Sequence, residues 1–165
     1  MTASLTTRWD VPAFGLPPTA RGTGPFTSRE FLGTWWRHRA EPRDELLLVA
    51  SDQALLPLLR RGGLVAFLGE QDLTDYHSPR GADLAEVVAS LVAAADPEWR
   101  FDLNSVPEPA ATHLAGSFGS AGVAATVTRH QSAALVALPD SHDRYLADLD
   151  KKQRHEVRRK RRRFA

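Results

Sequence analysis

Apolar positions along the chain change period several times, and each change marks an element. Phe31, Leu32, Trp35 and Trp36 recur at helical spacing. Thr27 with Glu30 three residues on forms a capping box ahead of them, and Phe26 and Phe31 stand at the hydrophobic-staple positions. This predicts a helix that ends near His38 to Glu41, before Pro42. A continuous apolar run over Glu45 to Ala50 predicts a buried strand, with Ser51 and Asp52 as the turn after it. Ala54 to Arg60 predicts a second strand, where Pro57 points to an edge or a bulge. Gly62 and Gly63 turn the chain into Leu64 to Leu68, so the three strands form an antiparallel meander.

Beyond the meander, Asp72 to Pro79 is polar and turn-like. Asp83 to Ala95 is helical, with Leu84, Val87, Val88, Leu91 and Val92 on one face. Trp99 to Leu103 is a short strand, and Pro109 to Phe118 is a helix started by its proline. Gly122 to Thr128 and Ala133 to Leu138 read as strands. Asp140 or Ser141 caps a single final helix in which Leu146, Leu149, Gln153, Val157 and Phe164 form a thin apolar stripe. Met1 to Pro25, rich in Pro, Gly and Thr, is expected to be extended or loosely packed apart from a short strand around Trp9 to Phe14. The sum is a mixed α/β domain with no Gly-rich nucleotide fingerprint and no internal repeat.

Charge changes this picture at one place. Lys151 to Arg163 holds nine Lys or Arg and one acid, Glu156, a net +8; the rest of the chain carries 12 basic and 19 acidic residues, a net −7. Two readings compete for such a segment. It is a polyanion-binding tail for nucleic acid or anionic membrane, or it is an internal helix of a longer enzyme, packed on its own domain with cations turned to phosphates or acids in another half. The apolar stripe has few large side chains, so insertion into a membrane would be weak. The 165 residues suffice for one domain with a real core. With no Cys there is neither disulfide nor thiolate chemistry. The N-terminus has no signal-peptide pattern and no stretch is long enough to cross a bilayer, so the expected location is cytoplasmic.

Asp72, Asp75, Tyr76 and His77 make the best local cluster of chemical groups. A carboxylate can orient an imidazole as a general base, and a tyrosine can donate a proton; the same composition also describes a polar loop that caps its own turns. His38, His77, His113, His130, His142 and His155 show no metal-ligand spacing. No Ser occupies a nucleophile elbow, and Gly116 to Ser120 reads as a helix stop. The Trp35–Trp36 pair is core packing or a platform for a flat ligand, and Trp99 reads as core.

Three segments, in this order, resemble the BioF2-like acetyltransferase domain proteins, also described as the CelD/BcsL group of the GNAT superfamily and related to the FemABX aminoacyl transferases. They are Phe26 to Trp36 with its paired tryptophans; Phe67-Leu68-Gly69 followed by Asp72-Leu73-Thr74-Asp75-Tyr76; and Tyr145-Leu146 followed by Leu149 to Lys160. The resemblance implies a GNAT-like mixed sheet flanked by helices over residues 26–139, after a poorly ordered segment 1–25. Residues 140–165 then form a basic helix connecting to a catalytic half not included in this chain. In that family the second half holds the acyl-CoA site. The resemblance therefore implies a member or fragment of a CoA-dependent N-acyltransferase family (a truncated reading frame, a fragment or a divergent short protein), moving an acyl group from acetyl-CoA or another acyl-CoA to a small-molecule amine, and inactive alone. The implied partner is a C-terminal GNAT half or second subunit. The loop with Asp72, Asp75, Tyr76 and His77 would line the acceptor cleft, and Lys152, Arg154, Arg158 and Arg159 would face CoA phosphates.

Overall fold

A computed structural model describes residues 3–69, 73–132 and 137–164. It divides the chain into a unit spanning Met1–Arg129 and a second spanning His130–Ala165. The first unit is an α/β fold: strand β1 (Ser4–Thr6), helix α1 (Arg29–Arg39), strands β2 (Asp44–Ala50), β3 (Ala54–Arg61), β4 (Leu64–Phe67) and β5 (Arg80–Gly81), helix α2 (Leu84–Ala94), strand β6 (Arg100–Asp102) and helix α3 (Glu108–Ser120). The second holds α4 (His142–Asp148) and the basic α5 (Lys151–Phe164).

The strands form one mixed sheet in the order β1-β2-β3-β4-β6, with β5 paired to β3. Only β4 and β6 run parallel. The meander β2–β3–β4 forms as expected, and β3 is its centre, buried on both faces from Ala54 to Leu59. Alternation along the strands separates two cores. Val49, Leu56, Leu58, Val65 and Phe67 meet α2 and α3 through Val87, Val88, Leu91, Leu114 and Phe118. Leu46, Leu48, Leu55 and Leu59 on the other face meet Leu32 and Trp35 of α1, together with Phe14. Trp35 is therefore core, with Trp36 half-buried beside it.

Pro57 lies in the central strand, opposite Leu48, and not on an outer edge. The sheet accommodates it through a local gap. On that side β4 pairs only from Leu58 onward and β5 only with Ala54 and Leu55. The Pro57 carbonyl accepts from Leu68 N at 2.9 Å. A strand residue turns its carbonyl and nitrogen to the same side, so the missing N–H falls just past the β4 ladder, which ends at Phe67, and forgoes only the one bond that would return to Leu68.

At the open end of the hairpin, Arg61 makes a bidentate contact with Asp44, at 2.6 and 2.8 Å, directly across the ladder. That guanidinium holds the Asp44 carboxyl below its usual range. Arg60 pairs with Glu45 and lies over the Trp99 ring.

Several expectations need correction. The cap of α1 is Ser28, whose hydroxyl accepts from Phe31 N at 3.1 Å; Thr27 is buried, and its carbonyl accepts from the Arg80 guanidinium at 2.7 Å. The leading 25 residues, expected to be loose, contribute β1, 3-10 turns at Pro12–Gly15 and Gly24–Thr27, and the buried side chains of Ala13, Phe14, Ala20 and Thr23. Trp9 to Phe14 is not a strand; the two rings stack at 5.8 Å around the first of these turns. Gly122 to Thr128 is irregular. Its β-branched residues favour extended backbone, but a strand needs a ladder partner and none of the described residues pairs with it. Of Ala133 to Leu138, residues 133–136 lie outside the described residues and the last two are irregular.

The single final helix is two helices. Leu149 is extended, and Asp150 starts α5 with a reciprocal box: its carboxylate accepts from Gln153 N at 2.8 Å, and the Gln153 side chain accepts from Asp150 N at 3.3 Å. The Arg154 guanidinium covers the Leu149 carbonyl at 2.8 Å. Ser141 caps α4 as expected, accepting from Arg144 N.

Candidate functional site

Between β4 and β5, the stretch around His77 lies at the carboxyl ends of the parallel pair. Pairing of β4 with β6 stops at Ala66 and Asp102. Beyond it His77 packs against both strand ends. His77 N donates to the Ser105 carbonyl at 2.9 Å, and the His77 ring bonds the Asn104 carbonyl through Nδ1 at 3.1 Å. The ring also stacks on Phe67 at 5.5 Å with an interplanar angle of 12°. Ser105, at φ 55°, bends the backbone that presents these carbonyls. Ser78 closes the other side, accepting from Ala20 N at 3.1 Å. In open sheets the crevice outside the carboxyl ends of parallel strands is the usual ligand site; here the chain's own loop occupies it.

The hydrogen bonds assign the tautomer. A carbonyl only accepts, so Nδ1 carries the proton and Nε2 the lone pair. Among the described residues that buried Nε2 has no partner, nor does Thr74 Oγ1. Both converge on Gly69, where a Cβ would lie 2.9 Å from each. His77 is 5 % exposed and Thr74 1 %. Burial pushes the imidazole below its ordinary value, against the smaller opposing effect of the Asn104 carbonyl, so the ring is neutral at physiological pH.

The predicted cluster is thus dispersed. His77 is sealed, Tyr76 is half-buried, Asp75 is exposed, and Asp72 lies outside the described residues. A backbone carbonyl, and no carboxylate among the described residues, orients the imidazole.

A cleft of about 460 Å³ opens on the face carrying α1, between the end of that helix and β3–β4. Leu59, Leu64 and Ala66 line it with Trp35; Arg39, Glu41 and Arg61 add charge of both signs, and His38 adds an imidazole. Its size suits a small molecule. Trp35 Nε1 is buried without an acceptor. Gly69 also lines this cleft, so the cleft and the sealed His77 share one glycine as their partition.

Comparison with protein-family models, with curated proteins and with solved structures gives no match for this chain.

Of the cations singled out on the basic helix, Lys152 and Arg158 are exposed, Arg154 is spent on the Leu149 carbonyl, and Arg159 pairs with Glu156 at 2.8 Å. Among the described residues no His, Asp or Glu cluster could hold a metal ion, and no helix is long and apolar enough to cross a membrane. The cleft is hidden in the sequence because α1 and β4 meet only in the fold. Its one sequence signal is Trp35, which serves core and cleft at once.

Proposed function

We propose that the first unit is a GNAT-like half of a CoA-dependent N-acyltransferase of the BioF2-like/CelD group, and that it is the non-catalytic half. Acyl-CoA is then held by a second GNAT-like half or subunit, while the cleft beside Trp35 contributes to the amine-acceptor side. The mixed sheet flanked by helices supports the GNAT-like part of this reading. The observation that carries the non-catalytic part is the His77 loop packed over the carboxyl ends of β4 and β6.

Acyl transfer needs a neutral amine to attack the thioester carbonyl, a base to take its proton, and donors aimed at the oxyanion that develops. Around the ends of β4 and β6 two amides are already engaged and the one imidazole is enclosed. Leu68 N donates to the Pro57 carbonyl and His77 N to Ser105. The lone pair of His77 Nε2 is closed off from solvent. Neither of these two amides is free to polarise a substrate thioester.

The test is calorimetric titration of the full chain with acetyl-CoA, followed by detection of released thiol in the presence of amines. The absence of Cys removes any protein background from the thiol assay. The expected result is no saturable heat and no CoA release above spontaneous hydrolysis. Micromolar binding of acetyl-CoA, with or without transfer, overturns the reading.

A further inference from the structure

The strongest charge concentration in the sequence falls on α5. Its fourteen residues include no buried side chain. The one acid, Glu156, is held by Arg159. Arg154 is committed to the Leu149 carbonyl. Lys151, Lys152, Arg158, Arg162 and Arg163 are exposed with no internal partner among the described residues.

Their placement is not uniform. At 3.6 residues per turn, Lys151, Arg158 and Arg162 fall within about 40° of one another around the helix. Lys152 and Arg163, with the Glu156-paired Arg159 between them, form a second row about 100° away, and the exposed Lys160 and Arg161 lie outside both rows. Each row is on the order of 16 Å long. The Asp150–Gln153 box and the Arg154 contact start the helix without help from a ligand, so the two rows are held in place in advance.

We infer that α5 is a docking surface for the backbone of double-stranded DNA, lying in the major groove with one cationic row against each phosphate wall. The helix is about as wide as that groove. The deep, narrow major groove of A-form RNA does not admit it. Single-strand binding rests on aromatic platforms, and the only aromatic residue of α5 besides His155 is Phe164 at its end. A membrane needs a continuous apolar face, and this helix offers Val157 and Phe164. Arginine forks suit phosphate oxygens, and phosphate contacts carry no sequence information, so binding that rests on them is independent of sequence. This inference does not depend on the acyltransferase reading.

The experiment is fluorescence anisotropy of the full chain with a labelled duplex of about 20 base pairs, across a salt series. Five phosphate contacts predict a slope of about −4.5 in log K against log salt, or roughly 500-fold weaker binding between about 50 and 200 mM. Replacing Arg158→Gln and Arg162→Gln keeps helix propensity and reduces the slope to about −2.7. Circular dichroism checks that the helix persists in the variant. A salt slope near zero, an unchanged slope in the variant, tighter binding to RNA of the same length, or preferential binding to phosphatidylserine vesicles overturns the proposal.

Discussion

Replacing Gly69 by alanine probes the partition between the cleft and the sealed histidine. Two costs add. Gly69 sits at φ +132°, backbone that side chains rarely adopt, and a non-glycine residue held there is strained by about 1–3 kcal/mol. The new methyl carbon would also lie 2.9 Å from both His77 Nε2 and Thr74 Oγ1. Thr74 can rotate away. His77 cannot move without giving up its Asn104 hydrogen bond, worth about 0.5–1.5 kcal/mol, and its stack on Phe67, worth a similar amount at about 0.5–1.5 kcal/mol. The expected loss is about 4 kcal/mol, the middle of a range of roughly 2–6. Gly62→Ala is the matched control. It has φ +59° and nothing within 4 Å of its added carbon, so only the backbone cost of about 1 kcal/mol applies. Urea unfolding at about pH 7.5, followed by tryptophan fluorescence, should separate the two: with a slope of about 2 kcal/mol/M, Gly69→Ala lowers the midpoint by about 2 M and Gly62→Ala by about 0.5 M. Equal midpoints for the two variants would refute the close packing of His77 and Thr74 on Gly69.

Two further outcomes are expected from the same kinds of contact. Because burial lowers the His77 pKa, the unfolded chain takes up a proton that the fold refuses; stability is therefore full above about pH 6.5 and falls as pH drops through that value, by up to about 1.4 kcal/mol per unit. Thermal melts of His77→Phe between about pH 5 and 7 should show a flatter profile than the parent, and an identical slope in both proteins would contradict the assignment. Asp150→Ala removes the box that starts α5 and should cost that helix about 0.5–2 kcal/mol; amide exchange over residues 151–156 should quicken, whereas unchanged protection would mean the helix is started by something else.

The elements whose side chains report their own surroundings were legible in the chain. The apolar run of β2, the meander closed by Gly62-Gly63, and the 84–87–88–91 face of α2 all formed as read, because a period of 2 or 3.6 needs only local geometry to bury one face. The Asp150–Gln153 box was equally local, but the apolar stripe running on through Leu149 and Gln153 concealed it. Where neighbours along the chain were equally eligible, as with Thr27 and Ser28, the fold chose: Arg80, distant in sequence, drew the Thr27 carbonyl and left the cap to Ser28. Pro57 shows the same limit, since whether a strand lacks a partner at one residue depends on where two other strands stop. His77 read as a polar loop residue because the groups that bury it, Phe67, Asn104 and Ser105, belong to strand ends brought together by a parallel crossover. Composition and period determined the layers of this protein and the charge of its last helix. Only long-range packing decided which polar groups are sealed and which face solvent, because burial is a property of neighbours that the chain meets by folding.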